Sequence, residues 1–201
     1  IILINEFQNM QGRLAGLEHA PGVTDLVVAP LFRVAAWALL LLTPLLTMRL
    51  FSEERRAGTL DLLLSAPVSA TQIVLGKYLG VLIFLLGVVA LTALMPLALM
   101  TGAALDGGKL LAGLLGLSLL AASFAAAGLY LSSLTAQPLI AATATFGLLL
   151  AFWIVDAVGA GQGIASQFFG YLSLPRHHDA LLLGLVRSED VAYYLLFSAA
   201  F

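Results

Sequence analysis

The sequence contains no cysteine and few charged residues. The absence of cysteine excludes a disulfide framework, a thiol nucleophile and a cysteine-based metal site within these 201 residues. Charged residues make up 10% of the chain, compared with about 25% in a soluble domain. A net charge of −2, with no basic run, gives no electrostatic basis for binding nucleic acid. A soluble enzyme or a nucleic-acid-binding domain is therefore a poor fit.

What the sequence has instead is long apolar runs. Hydrophobic residues make up 61% of the chain and the mean hydropathy is +1.05. Residues 78–105 carry no charge, and neither do residues 110–155. At about 1.5 Å per residue, the second run is about twice the thickness of the hydrocarbon layer, so it must contain two helices. Hydroxyls, an amide and a proline cluster at Ser132–Pro138, which predicts the break between them.

The predicted fold class is all-α, a polytopic bundle of membrane helices. The chain begins without Met and stops inside an apolar run, so we expect the first and last of six spans to be incomplete. The predicted segments are residues 1–4 as the end of span 1, 5–25 as an extracytoplasmic segment, 26–48 as span 2, 49–77 as a cytoplasmic region, 78–101 as span 3, 110–131 as span 4, 138–156 as span 5, 157–189 as extracytoplasmic interfacial helices and 190–201 as the start of span 6.

Span 4 is rich in residues with small side chains. Such residues let helix backbones approach closely, so span 4 is expected to pack against other helices rather than to face lipid. These residues are Gly113, Gly116, Ala121, Ala122, Ser123, Ala125, Ala126, Ala127 and Gly128.

The segment Arg49–Lys77 holds four of the nine basic residues of the chain. Ser52, followed by two glutamates, predicts a helix start, because a hydroxyl can cap free N–H groups and carboxylates favour the positive end of the helix dipole. Pro67 predicts its end. Ser69 with Gln72 three residues later forms a capping-box pattern that opens a second helix, which continues into span 3. A short amphipathic helix is thus connected directly to a membrane helix.

The distribution of basic residues gives a weak indication of sidedness. Arg49, Arg55, Arg56 and Lys77 lie close to span ends on one face, which the positive-inside rule predicts to be cytoplasmic. Four other basic residues, Arg33, Lys109, Arg176 and Arg187, are predicted on the opposite face, so the bias is small.

No motif for ATP hydrolysis, intramembrane proteolysis or metal binding is complete. Gly76-Lys77 and Gly108-Lys109 lack the earlier glycine and the following hydroxyl of a phosphate-binding loop. Ser118 lacks the second glycine of an intramembrane serine protease motif. Asp156 has no carboxylate partner in the membrane, so it is interpreted as an interface anchor.

The run His177-His178-Asp179 is a weak metal-site candidate. Adjacent residues on a helix point about 100° apart, which makes it difficult for them to share one ion. The predicted mid-span positions are apolar or small, which disfavours a transporter coupled to an ion gradient.

The stretch from Met48 to Ser69 closely resembles permease subunits of type-2 ABC exporters. The elements that carry the resemblance are Glu53-Glu54, Gly58-Thr59, Leu63-Leu64 and Pro67-Val68-Ser69, in this order between the second and third spans. Within that family the chain is most similar to the gliding-motility and nitrous-oxide-reductase-maturation permeases. Weaker similarity extends over residues 78–156 by span pattern, and over the segment that leads into the last span through His178, Gly184, Asp190 and Tyr194.

The resemblance implies a transport subunit that is not itself an enzyme. Two permease chains of six spans, as a homodimer or a related heterodimer, would pair with two ATPase subunits in the bacterial inner membrane. ATP and Mg would bind to the ATPase, with no cofactor on this chain. Membrane lipids and an accessory extracytoplasmic subunit are further candidate partners, and nucleic acid is not. Neither the sequence nor the resemblance names the substrate.

The resemblance also implies that the helix from Ser52 to Ser65 is a coupling helix that fits a cleft in the ATPase. The interface residues it implies are Glu53, Glu54, Arg55, Arg56, Gly58, Thr59 and Asp61. One alternative is a membrane scaffold that anchors a complex without moving cargo. Another is an intramembrane hydrolase, which would depend on Asp156 or His178.

Overall fold

The structure, a computed structural model, describes residues 24–59, 65, 68–99, 105–158 and 170–201. A π-helical turn, Thr24–Val28, leads into the first α-helix, and the described residues contain no strand. In chain order the helices are α1 (Ala29–Thr47), α2 (Ser52–Ala57), α3 (Ala70–Leu99), α4 (Gly107–Leu134), α5 (Pro138–Val158), α6 (Leu174–Leu182) and α7 (Ser188–Ala200).

Within the described ranges, four helical regions are long and apolar enough to cross a membrane: Thr24–Ala57, Ala70–Leu99, Gly107–Leu134 and Pro138–Val155. Their outer surfaces carry large exposed apolar side chains, including Leu41 on α1 and Leu91 on α3. Lipid can cover such side chains, whereas the backbone polar groups are paired within each helix. The predicted all-α polytopic membrane fold is confirmed.

Helix α4 is the centre of the bundle. It contacts α1, α3, α5, α6 and α7, and 67% of its most apolar window is buried, compared with 28% for α3 and 22% for α5. A Cβ atom on Gly113 would lie 2.6 Å from the Phe32 ring, and one on Gly128 would lie 2.8 Å from the Thr47 Cβ atom. The small residues of α4 therefore allow α1 to approach, as predicted.

Two predicted helix boundaries follow from local sequence signals. The backbone N–H of Ser69 donates to Gln72 Oε1 at 3.0 Å, and the Gln72 N–H donates to Ser69 Oγ at 3.3 Å. This is the predicted capping box, and α3 continues from it without a break to Leu99. Helix α4 ends at Leu134 and α5 begins at Pro138, so the long uncharged run is divided where predicted.

The prediction of one continuous helix from Ser52 to Ser65 is wrong. Helix α2 ends at Ala57, and Gly58 has a φ angle of 68°, in the left-handed region that glycine adopts without steric cost. The Thr59 N–H donates to the Glu54 carbonyl at 3.0 Å and the Gly58 N–H to the Arg55 carbonyl at 3.4 Å, which is a Schellman termination. Pro67, the predicted terminator, lies outside the described residues, as do residues 60–64.

At the opposite end of the bundle, α6 lies across the helix ends. Arg33 of α1 pairs with Asp179 of α6 at 2.9 Å, and Asp25 pairs with Lys109 at the start of α4 at 2.7 Å. Gly184, with a φ angle of 81°, ends α6 against the Lys109 side chain. The segment predicted to be interfacial thus contains a helix, its position at a membrane interface stays a prediction, and residues 159–169 of that segment are outside the described residues.

Candidate functional site

The segment that follows α1 contacts the last helical turn of α4. Ser132 Oγ accepts hydrogen bonds from the N–H groups of Phe51 (3.1 Å) and Ser52 (3.3 Å), and donates to the Met48 carbonyl at 3.2 Å. The start of α2 is therefore capped by a hydroxyl from another helix. Sequence analysis had assigned that role to Ser52, which was wrong, because the Ser52 hydroxyl instead donates to the Met48 carbonyl.

A second contact joins α2 to the same turn. Arg55 Nη1 donates to the Ser133 carbonyl at 2.8 Å. This carbonyl lies near the end of α4, where helix carbonyls lack intrahelical partners and the dipole favours a cation. Arg55 was predicted as a partner contact; its Nη1 is engaged within the chain, and its exposed side chain also lines the cleft described below.

A third contact joins α2 to α3. The Lys77 ammonium pairs with Glu54 Oε1 at 2.6 Å, donates to the Leu50 carbonyl, and lies 4.6 Å from the centre of the Phe51 ring. The two charged side chains are 19% and 31% exposed, so water screens this pair less than a surface pair. Glu54 therefore holds α2 against the first turns of α3.

The surface of α2 that remains open lines a cleft of about 840 Å³. Glu53, Arg56 and Arg49 are exposed there and make no ion pair with any described residue. Three arginines and one glutamate give the cleft an excess of positive charge. Its lining consists of Met48, Arg49, Glu53, Arg55, Arg56, Ala136, Gln137, Pro138 and Leu139.

The predicted interface residues thus divide into two groups. Glu53 and Arg56 are exposed at the cleft and make no contact that holds α2, whereas Glu54 and Arg55 hold α2 in place, and the Arg55 side chain also lines the cleft. Gly58 ends α2, and the Thr59 hydroxyl donates to the Glu54 carbonyl at 3.3 Å. Asp61 lies outside the described residues.

Sequence analysis missed the part of the α2 contact surface that comes from the end of α4 and the turn that follows it. Ser132, Ser133 and Gln137 were read as a helix break and placed on the same face as α2, with no contact assigned to them. A cluster of hydroxyls beside a predicted cytoplasmic helix was the available signal.

The two histidines of α6 have separate surroundings. His177 Nδ1 lies 2.6 Å from Asp190 Oδ1, and its Nε2 lies 2.9 Å from the Tyr171 carbonyl oxygen. A carbonyl only accepts, so Nε2 carries a proton. His178 is 2% exposed, and neither ring nitrogen has a partner in hydrogen-bonding geometry among the described residues.

Burial lowers the pKa of the His178 imidazole to about 4, because it disfavours the charged ring more than the nearby Asp179 carboxylate and Phe32 main chain favour it. His178 is therefore neutral at pH 7. Among the described residues no group of three or more acidic, histidine or cysteine side chains is arranged to hold a metal ion. The Asp156 side chain, the other residue that a hydrolase would need, is outside what the structure describes.

Comparison with models of protein families gives a match over most of the chain. Residues 5–188 match the model of a family described as "ABC-2 family transporter protein". No curated protein and no solved structure matches the chain.

Proposed function

Since this chain belongs to the ABC-2 family of transporter proteins, a membrane permease of an ABC transporter, we propose that it couples ATP hydrolysis on a separate ATPase subunit to substrate export. Permeases of this family are typically non-catalytic membrane subunits that work with an ABC ATPase. The chain would export its substrate and would receive the energy of hydrolysis through α2. It would assemble with two ATPase subunits that bind ATP and Mg and with a second permease chain, in a bacterial inner membrane.

The observation that carries the proposal is the attachment of α2 at three points. Ser132 caps its start, Arg55 joins it to the end of α4, and Glu54 joins it to Lys77 on α3. A force applied to α2 from outside the membrane would therefore reach two spanning helices. Helix α3 runs without a break from this contact across its apolar stretch, so it can act as a rigid lever.

The open side of α2 supports the contact with an ATPase. Arg49 and Arg56 are exposed beside the cleft, and Glu53 is the single acidic residue among its lining side chains. A partner that presents mostly acidic groups here would complement this charge. We therefore assign direct contact with the ATPase to Glu53 and Arg56, and an internal, force-transmitting role to Glu54 and Arg55.

Within the family, we propose a relationship to the gliding-motility and nitrous-oxide-reductase-maturation permeases. It is supported by sequence resemblance at His178, Gly184, Asp190 and Tyr194. The structure gives these residues defined positions: Gly184 ends α6, and Asp190 contacts His177.

Charge reversal on the exposed side of α2 tests the proposal. The variant Glu53→Arg with Arg56→Glu keeps the net charge and leaves the three attachment points intact. We expect loss of co-purification with the ATPase, or at least a roughly tenfold weaker association, which corresponds to about 1.4 kcal/mol. The matched control is Arg187→Glu with Glu189→Arg, an exposed exchange at the opposite end of the bundle.

Unchanged assembly and unchanged ATPase stimulation in the α2 variant would overturn the coupling proposal. A membrane scaffold is the alternative, and reconstitution distinguishes it. A complex that hydrolyses ATP normally but moves none of the candidate cargoes would favour the scaffold.

A further inference from the structure

A cavity of about 150 Å³ lies between α1, α5 and α6, at the opposite end of the bundle from α2. Its lining consists of Arg33, Trp37, Trp153, Pro175, His178 and Asp179. Arg33 and Trp37 are four residues apart on α1 and share one face, as do Pro175 and Asp179 on α6. Water occupies about 30 Å³ per molecule in the liquid, so the cavity admits a group of about five non-hydrogen atoms.

The inner part of the cavity suits an ammonium group. Trp37 and Trp153 lie with their ring centres 5.0 Å apart and inclined by 57°, and indole faces attract cations. His178 also lines the cavity, but both of its ring nitrogens are buried and Nδ1 faces Gly116 of α4, so the imidazole bounds the space for the ammonium without hydrogen-bonding to it.

The entrance suits a zwitterion. Arg33 and Asp179 meet through a single contact, from Arg33 Nε to Asp179 Oδ1 at 2.9 Å, and their side chains are 57% and 48% exposed. No described residue pairs with the Nη groups of Arg33 or with the second carboxylate oxygen of Asp179. These groups can therefore bind an anion and a cation side by side.

From this arrangement we propose that the cavity binds the headgroup of a phospholipid with a primary ammonium, as in phosphatidylethanolamine. The ammonium lies against the indole pair and donates to Asp179, while the phosphate contacts the Arg33 guanidinium. A trimethylammonium headgroup has no N–H group to donate to the Asp179 carboxylate. The position at a helix-bundle end, with tryptophans at the level where they favour headgroups, brings a lipid within reach.

Tryptophan fluorescence tests this site directly. Trp37 and Trp153 are the two tryptophans of the sequence and both line the cavity, so Trp37→Phe and Trp153→Phe assign the signal. The full-length protein in detergent is titrated with short-chain phosphatidylethanolamine, phosphatidylcholine and phosphatidylglycerol, and separately with inorganic phosphate and with ethanolamine. We expect a saturable change in tryptophan fluorescence with phosphatidylethanolamine, at a half-saturating concentration at least about fivefold lower than for the other lipids.

Substitutions in the cavity give a second measurement. Asp179→Asn and Arg33→Gln are each expected to raise the half-saturating concentration about tenfold, as for loss of a charge-assisted contact. The matched control is Arg187→Gln, which replaces an exposed arginine outside the cavity and should leave the half-saturating concentration unchanged. Elution on size exclusion checks that each variant is folded. If a variant is not folded, the comparison of the three lipids on the unaltered protein tests the proposal.

Three results would overturn the proposal. Equal responses to all three lipids would show a general lipid contact. A response to phosphate or ethanolamine alone at the lipid concentration would show a site for the free ion. Equal weakening in Arg187→Gln would show that the cavity is not involved. None of these results bears on ATPase coupling, since the cavity lies at the other end of the bundle.

Discussion

Glu53 and Glu54 are neighbours in the sequence but have different surroundings. Glu54 is paired with Lys77, and its second oxygen is buried without a partner among the described residues, whereas Glu53 is exposed at the cleft. Removing the Lys77 charge would leave a partly buried carboxylate unpaired, which costs more than losing a surface charge. The two glutamates should therefore respond differently to substitution.

For Lys77→Met we expect a stability loss of about 1–3 kcal/mol and a complex that binds the ATPase but transports less per ATP hydrolysed. The reason is that α2 would lose its attachment to α3 while its outer surface stays unchanged. Thermal unfolding and the ratio of transport to hydrolysis measure the two effects. Glu53→Gln is the matched control, which should weaken ATPase binding without changing stability. A Lys77→Met complex with an unchanged ratio of transport to ATP hydrolysis would contradict the force-transmitting role of the Glu54–Lys77 pair.

The buried His178 imidazole predicts an acid-sensitive stability. Its pKa is lowered from 6.5 to about 4 in the folded chain, so between these values the unfolded state binds a proton that the folded state does not. Stability is therefore lost as the pH falls from about 6.5 to about 4, by up to about 3 kcal/mol, and is fully present above this range. Thermal unfolding at several pH values should show the loss, and His178→Leu should reduce it. An equal acid loss in that variant would assign the effect to other groups.

At the residue scale, contacts between residues close in the sequence could be predicted, and contacts between residues far apart in the sequence could not. Ser69 and Gln72 form their capping box within one turn of chain, so the pattern alone predicted it. Ser52 carries a similar signal, but its hydroxyl donates backward to Met48, and Ser132 from another helix supplies the cap. No sequence spacing reveals a contact that spans about eighty residues.

At the scale of elements, α4 is characterised by its many small residues. Its small residues lie where α1 and α6 pack, and the sequence predicted this close approach from composition alone. Which helix meets which glycine is set by the tertiary arrangement, so the specific pairs, Phe32 at Gly113 and Thr47 at Gly128, were not predicted.

Gly128→Leu should disrupt the contact between α1 and α4. An added Cβ atom would lie 2.8 Å from the Thr47 Cβ atom, and overpacking of this kind costs about 1–3 kcal/mol or more. Gly147→Leu on α5 is the matched control, because nothing lies within 4 Å of its added Cβ atom. Thermal unfolding in detergent should show a lower midpoint for Gly128→Leu alone. Similar midpoints for the two variants would contradict the assigned packing.

The sequence predicted the start of α2 correctly and its end incorrectly. Its start, with two glutamates in the first turn, was placed correctly, and its end was placed at Pro67 because proline is the stronger terminator in the sequence. Gly58 ends the helix earlier because it adopts a positive φ angle and completes a Schellman motif. Gly58 was predicted as an interface residue, and its role as a helix end was missed.

At the scale of the whole molecule, the two ends of the bundle carry different chemistry. One end holds α2, the α4–α5 turn and the arginine-rich cleft, and the other holds α6, the Arg33–Asp179 pair and the tryptophan-lined cavity. Apolar run lengths and turn signals predicted the division into helices, because both depend on local sequence. Sidedness rested on four basic residues close to span ends on the α2 face, with as many assigned to the opposite face, and it stays a prediction.

The absence of cysteine makes sidedness measurable by single-cysteine labelling. Arg56→Cys and Gln137→Cys place a thiol at the α2 end, and Leu183→Cys and Val186→Cys place one at the α6 end, all at exposed positions. If the four long helices cross the bilayer with α2 in the cytoplasm, a membrane-impermeant maleimide should label Leu183→Cys and Val186→Cys in intact cells. Arg56→Cys and Gln137→Cys should be labelled only in inside-out vesicles. The reverse pattern would place α2 outside, where no ATP-driven partner could act on it, and labelling of all four from one side would contradict a spanning bundle.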